Sequence, residues 1–182
     1  TSGAIGFNDN TVTLSGSSAD VAAALVGTTY NGGVTLTDQA TVAQLVAVNA
    51  ATSGAITLNV TNGALSGTAA NLAAAFAGTI TGYTGAITVT DQPTLAQLVA
   101  INAATSGAIT LDVVNGALTG SAADLVSAFA GTITAYTGAL TFSDDHNLAQ
   151  LVAVNNATSG AIGFNDNTVT LSGSSADVAA AL

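Results

Sequence analysis

The sequence predicts an α/β protein, a repeat solenoid of stacked strand-helix coils with parallel sheets and a period of about 53 residues. Two observations predict it. Residues Thr1 to Leu25, TSGAIGFNDNTVTLSGSSADVAAAL, return letter for letter as Thr158 to Leu182, 157 positions later. Between the two copies, Leu14, Leu65, Leu118 and Leu171 head the related stretches LSGSSADVAAAL, LSGTAANLAAAF, LTGSAADLVSAF and LSGSSADVAAAL, at spacings of 51, 53 and 53. Asp38, Asp91 and Asp144 open a second series, TDQATVAQLVAV, TDQPTLAQLVAI and SDDHNLAQLVAV, on the same beat, as do Tyr30, Tyr83 and Tyr136. Self-similarity at such a period is the mark of a repeat architecture and governs every local reading. The expected organisation is one continuous segment over 1–182, with repeats at about 1–54, 55–107 and 108–160 and a partial copy at 161–182. Because the second copy stops inside the pattern that the first continues through Val26 and Gly27, a longer parent array is expected.

Ala55 to Gly107 illustrates each element. AITLNV is rich in Thr and β-branched residues, alternates in polarity, and precedes Asn62-Gly63, so it reads as strand then turn. After Ala64 to Ser66, Thr68 stands three residues before Asn71, a helix-start pattern repeated by Ser17 with Asp20, Ser121 with Asp124 and Ser174 with Asp177. Leu72, Ala75 and Phe76 then recur at helical spacing, and Gly78 stands where a stop belongs. A second strand pattern, AITVT, leads to Asp91, which with Asp38 and Asp144 is the expected cap of the second helix, Pro93 falling in its first turn. Leu95, Leu98, Val99 and Asn102 share a face of that helix, with Ile101 at its edge.

Neither element can hide its apolar side alone, whereas stacked coils with right-handed crossovers bury a continuous core. An alternative makes each Asn-Gly the tip of an antiparallel hairpin, an α+β repeat.

Composition removes several functions. The chain has no Lys or Arg, ten Asp, no Glu and a formal charge of −10. Nucleic acid binding draws on basic side chains that neutralise phosphates, so no nucleic acid partner is expected, nor electrostatic docking to anionic lipid. Apolar runs are cut by Ser, Thr, Asn, Gln or Gly well short of the roughly 18 residues a spanning helix needs, so no membrane insertion is expected. With no Cys and one His, thiol chemistry and zinc sets are absent from the sequence.

The residues that invite a functional reading each have a structural one beside it. Asn49, Asn102 and Asn155 recur near the end of the second helix and are expected to form an amide ladder from copy to copy, while Gln44, Gln97 and Gln150 face water. Tyr30, Tyr83 and Tyr136 are expected to pack at a corner with wet hydroxyls; the functional alternative is a glycan-contacting stripe. Thr11/Thr13, Thr35/Thr37, Thr88/Thr90 and Thr168/Thr170 place pairs of hydroxyls on one strand face, a pattern similar to that of ice-binding surfaces. Asp9, Asp144, Asp145 and Asp166 are the candidates for calcium, but no EF-hand loop or calcium nonapeptide surrounds them, and turn or cap duties account for them. No cofactor is expected beyond loosely held calcium. His146 takes the place of Ala40 and Pro93 and is expected to be a solvated first-turn residue; no catalytic set assembles around it, and no enzyme is expected.

Taken together, L-S-G-T/S-A-A-D/N-L, G-A-I/V-T-V/L-T-D and L-A-Q-L-V-A-I/V-N-A-A-T-S-G resemble the repeats of very long bacterial cell-surface and adhesin-type fibre proteins across the whole chain. The resemblance implies export, an extracellular or surface location, and a shaft, matrix or sheath role. The expected partners are further copies of the chain, end to end or side by side; a surface module binding glycan or ice is the alternative.

Overall fold

Three-residue strands are too short to hold themselves, and each one here is held by the strand of an adjoining coil. The computed structural model describes residues 6–58, 63–78, 80, 82–112, 115–131, 133, 136–165 and 168–181. Among these, the order is β1 (Leu14–Gly16), α1 (Ser18–Ala24), β2 (Val34–Leu36), α2 (Val42–Ala51), β3 (Ile56–Leu58), β4 (Leu65–Gly67), α3 (Ala69–Ala75), β5 (Ile87–Val89), α4 (Leu95–Ala104), β6 (Ile109–Leu111), β7 (Leu118–Gly120), α5 (Ala122–Phe129), β8 (Leu140–Phe142), α6 (Leu148–Ala157), β9 (Ile162–Phe164) and α7 (Ser175–Ala181).

The strands form three parallel sheets, ordered β1-β2-β3, β4-β5-β6 and β7-β8-β9. Register is the same in each: Leu14, Val34 and Ile56 are partners, as are Leu65, Ile87 and Ile109, and Leu118, Leu140 and Ile162. All pairing among the described strands is parallel, so the hairpin alternative fails. The pairs that a hairpin would join, β3 with β4 and β6 with β7, lie in different sheets. Instead, β3 and β6 each bridge in parallel to chain further on, Ile56 to Ile80 and Ile109 to Ile133, while their other side is taken by the central strands β2 and β5. Asn62 lies outside the described residues.

The helices pack in chain order, each against the next, from α1 to α7. Their buried residues, Leu45 and Val48 in α2, Leu98 and Ile101 in α4, Leu151 and Val154 in α6, lie three apart and meet the inward strand residues Val34, Leu36, Ile87, Val89, Leu140 and Phe142 in the core. Ile101, expected at the edge of its helix face, is fully buried instead, while Leu95 and Val99 are half-buried. The buried residues form two clusters that do not follow the repeat boundaries: one runs from Val21 to Ile109, the other takes Leu98 with residues of the third repeat, and the half-buried Leu111 and Ile133 pack against both. Burial of one such Leu, Ile or Val is worth about 1.5–3 kcal/mol.

The second helix of each repeat is capped three residues later than expected. Its caps are Thr41, Thr94 and Asn147, each accepting from the backbone N–H three residues on while Gln44, Gln97 or Gln150 reaches back to the cap's own N–H. This capping box satisfies two orphan donors at once and gives those Gln residues a structural role in place of the solvated one. Asp38, Asp91 and Asp144 therefore do not cap these helices, and Pro93 precedes the first turn rather than lying in it.

Candidate functional site

The polar side chains singled out by the sequence lie where one strand-helix segment meets the next. The chain has no Lys or Arg, and among the described residues the contacts that recur from repeat to repeat are hydrogen bonds to backbone or to neutral groups.

Asp38, Asp91 and Asp144 show the principle. Each carboxylate accepts from the first backbone N–H of the helix in the preceding coil: Ser18 at 2.6 Å, Ala69 at 2.6 Å and Ala122 at 2.7 Å. Ser17, Thr68 and Ser121 hold the third N–H of those same helices, so α1, α3 and α5 each have one cap from their own chain segment and one from a neighbour. Ser174 does the local half alone for α7, accepting from Asp177 N–H at 3.2 Å. The Ser18 N–H and hydroxyl hold the Asp38 carboxyl below its ordinary value of 3.8.

The Asn column is not an amide ladder. Asn49, Asn102 and Asn155 donate through Nδ2 to the carbonyls of Ala74, Ser127 and Ala180, at 2.9, 2.8 and 3.1 Å, near the end of the helix in the following coil. The helices are spaced so that the amide reaches the open carbonyls of its neighbour and not its own counterpart. Gly78 and Gly131 make room for it: a Cβ there would fall 1.7 or 1.9 Å from the Asn oxygen. A side chain there would displace the amide from its carbonyl, so glycine at these positions goes with the Asn contact and not with a positive φ.

The tyrosines are neither wet nor available to sugars. Tyr30, Tyr83 and Tyr136 are 1–2% exposed, and their hydroxyls donate inward to the carbonyls of Val12, Gly63 and Gly116 in the preceding coil. The corner that carries them is closed over by Phe7, Phe76 and Phe129, with ring centroids 5.0–5.2 Å away. Burial pushes the Tyr83 phenol up to about 12 and raises Tyr136 as well.

A column that sequence reading passed over is Thr52, Thr105 and Thr158 in the T-S-G corners. Their hydroxyls donate to the carbonyls of Gly32, Gly85 and Gly138, at 2.8, 2.9 and 2.8 Å, and accept from the N–H two residues on. The signal was present, since T-S-G recurs every 53 residues. It reads from sequence as a helix stop because nothing local shows the facing carbonyl.

His146 is another correction: it is 7% exposed, not solvated. Its ring stacks on Phe142 at 4.5 Å and Phe164 at 4.9 Å, and Nδ1 has no hydrogen-bond partner. The position is inside in every repeat, where Ala40 and Pro93 are also buried. Leu36, Ala40 and Leu58 become Val89, Pro93 and Leu111, then Phe142, His146 and Phe164, so one aromatic trio replaces two aliphatic sets.

The calcium candidates do not converge. Asp9 accepts from the N–H and hydroxyl of Thr11 in its own turn, which lowers its pKa; Asp144 holds Ala122; Asp145 is exposed; Asp166 lies outside the described residues. Among the described residues no three His, Cys, Asp or Glu side chains lie together. No described helix is long and apolar enough to cross a membrane.

The outward strand face carries hydroxyls in register: Ser15, Thr35 and Thr57 across the first sheet, Ser66, Thr88 and Thr110 across the second, Thr119 and Thr141 across the third. The flanking members of these ranks, such as Ser15, Thr57, Ser66 and Thr110, are exposed, and the central Thr35, Thr88 and Thr141 half-exposed. No protein-family model, curated protein or solved structure matches the chain.

Proposed function

We propose that this chain is a structural element, a length of extracellular fibre or adhesin shaft built as an α/β solenoid of about 53 residues per period, working by self-association and not by catalysis. The observation that carries this reading is the recurrence of one set of coil-to-coil bonds: Asp to helix N–H, Asn and Tyr to carbonyl, Thr to Gly carbonyl. Such a set propagates along an axis without any residue unique to one repeat, as a shaft requires. Apolar packing across the repeat boundaries, with Ile109 in the first cluster and Leu98 in the second, supports the same reading, because repeats folded as separate beads would each close off a core.

Electron microscopy of concentrated protein, with small-angle scattering in dilute solution, tests it. A rod of constant cross-section that lengthens with concentration is the expected result. Compact particles of fixed size at all concentrations would overturn it.

A second reading is favoured by the hydroxyl ranks on the outward face. Regular rows of Thr could present a flat surface to ice or glycan, with Tyr removed from consideration by its burial. Thr88→Ala in a thermal-hysteresis or glycan-array assay decides: an unchanged signal removes this reading.

A further inference from the structure

Asn-Gly pairs have a chemistry of their own besides turn formation. Glycine has no side chain to shield its amide nitrogen, so that nitrogen can attack the side-chain carbonyl carbon of the preceding Asn. The new N–C bond closes a succinimide as the C–NH2 bond breaks, and ammonia leaves with the glycine proton. Water then opens the ring at either carbonyl, giving aspartate or, with the main chain rerouted through the side chain, isoaspartate. Water and base are the only co-reactants. The chain has three such pairs, Asn31-Gly32, Asn62-Gly63 and Asn115-Gly116.

At two of them the attacking nitrogen is occupied. The Gly63 and Gly116 N–H groups donate to the side-chain oxygens of Gln39 and Gln92 in the preceding coil, both at 2.6 Å, while their carbonyls accept from Tyr83 and Tyr136. Each Gln is fixed in turn by donating to the carbonyl of Ala40 or Pro93. The third repeat has Asp145 in place of this Gln, and Thr168-Val169 in place of Asn-Gly, a pair that cannot react this way. The Gln therefore accompanies the reactive pair.

Asn31-Gly32 is placed otherwise. Among the described residues no acceptor takes the Gly32 N–H, and only its carbonyl is held, by the Thr52 hydroxyl at 2.8 Å. Asn31 is exposed, and its side-chain oxygen accepts from the Ser53 hydroxyl at 3.2 Å. That bond draws electrons from the carbonyl carbon and sits at the oxygen where negative charge develops during attack. Glycine is fixed at 32, since a Cβ there would overlap the Val12 carbonyl oxygen. The residue before it is not: Thr84 and Thr137 hold the place of Asn31 in the sister corners.

We propose that Asn31 is a self-modification site, converting to aspartate and isoaspartate as the folded protein ages, and that Gln39 and Gln92 withhold the Gly63 and Gly116 nitrogens from the same reaction. Conversion adds a negative charge to a chain with no Lys or Arg. Isoaspartate also lengthens the main chain by one methylene between Tyr30, whose N–H donates to Ala51 O at 2.8 Å, and Gly32, whose carbonyl holds Thr52. The junction between these coils loosens with age, whether or not the chain forms a shaft.

The full chain, aged in warm, mildly alkaline buffer, quenched in acid and cut with pepsin, reports each site by mass spectrometry. The same chain aged in denaturant gives each site its unfolded rate. Asn31 should convert in the folded protein at least as fast as in denaturant, and Asn115 slower by about two- to tenfold, the range that one hydrogen bond commands. Gln92→Ala should raise the Asn115 rate by that factor and leave Asn31 unchanged. Gln92→Glu keeps an acceptor for the Gly116 N–H and should keep Asn115 slow. Ser53→Ala should slow Asn31 by about twofold or more. Asn31→Thr, the residue of the sister corners, should end both the mass change at 31 and the fall in denaturant midpoint on ageing. An Asn31 as protected by folding as Asn115 would overturn the site. The protective role of Gln92 would fall if Asn115 kept its rate in Gln92→Ala with an unchanged circular dichroism spectrum, or reached its unfolded rate in folded Gln92→Glu.

Discussion

The segment TSGAIGFNDNTVTLSGSSADVAAAL occurs twice in this molecule and takes two structures. In both copies the helix forms, α1 and α7, with the same local cap and the same first helical bond, Val21 N–H to Ser17 O at 2.9 Å and Val178 N–H to Ser174 O at 3.0 Å. The strands differ: LSG is extended and paired in the first copy, IGF in the second. Helix start is thus written in the segment, because a hydroxyl three residues before an N–H is a local arrangement. Strand is conferred by the neighbour, because a three-residue strand has no partner within itself. The comparison teaches that the repeat's unit of stability is the junction between coils and not the coil.

The most forceful way to break that conclusion is to compare one core position across three settings. Leu72→Ala, in a helix packed on both sides, should cost about 3–5 kcal/mol in denaturant unfolding. Val21→Ala, packed on one side, should cost about 1–2 kcal/mol, and Val178→Ala, half-covered, less than about 1 kcal/mol. Equal costs for Val21 and Val178 would mean that the two copies are packed alike, and the contrast between them would fall.

Tyr83 tests the junction by a polar group. Tyr83→Phe leaves the Gly63 carbonyl without its inward donor, for an expected loss of about 1–3 kcal/mol. Alkali should do the same. The folded phenol is raised to about 12 from an ordinary 10.0, so its neutral form is favoured by folding; that stability is complete below 10 and is lost as pH rises toward 12. Wild type should unfold in that interval, and an ultraviolet phenol titration showing Tyr83 ionising at its ordinary value would contradict its burial.

How much of this was legible beforehand follows the same division. Ser17, Thr68 and Ser121 were readable as caps, and Leu72, Ala75 and Phe76 as a buried face, because each depends on spacing within one helix. The α/β pattern was readable from alternating periodicities. Asp38, Asp91 and Asp144 were readable as caps but not as caps of a helix in the preceding coil, since the N–H they hold lies 20–22 residues upstream. Asn49, the buried tyrosine hydroxyls and Thr52 were missed for the same reason: the partner sits one coil away, at 18–25 residues, and its identity as a backbone carbonyl leaves no trace in the sequence. His146 was misplaced because a lone polar residue hides that its position is inward in sister repeats.

Hydrogen exchange sharpens the comparison without mutation. Intrinsic exchange rates of equivalent amides in the two copies are nearly equal because the sequences are identical, so any difference reports structure. Leu14 N–H donates to Gly33 O and Asn165 N–H to Phe142 O, whereas Leu171 and Asn8, their counterparts, lie in no paired strand. Leu14 should exchange more slowly than Leu171, and Asn165 more slowly than Asn8, each by roughly tenfold, about 1.4 kcal/mol of local opening. The same rate at Leu14 and Leu171 would mean that β2 confers nothing.

The smallest effect concerns the carboxylate that distinguishes α1 from α7. Asp38 holds the Ser18 N–H, while among the described residues no carboxylate reaches Ser175. Because that bond keeps the folded Asp38 carboxyl below its ordinary 3.8, the ionised form is favoured by folding. Its contribution is complete above 3.8 and is withdrawn as pH falls past that value toward the depressed folded one. Acid below pH 3.8 should therefore loosen α1 toward the state of α7, with amide exchange at the start of α1 accelerating while that of α7 stays put. Asp38→Asn should give the acid phenotype at neutral pH and flatten the pH response of α1 alone. If instead both copies loosen together in acid, general protonation of the ten carboxylates governs the effect, and the neighbour's cap has no separate part in it.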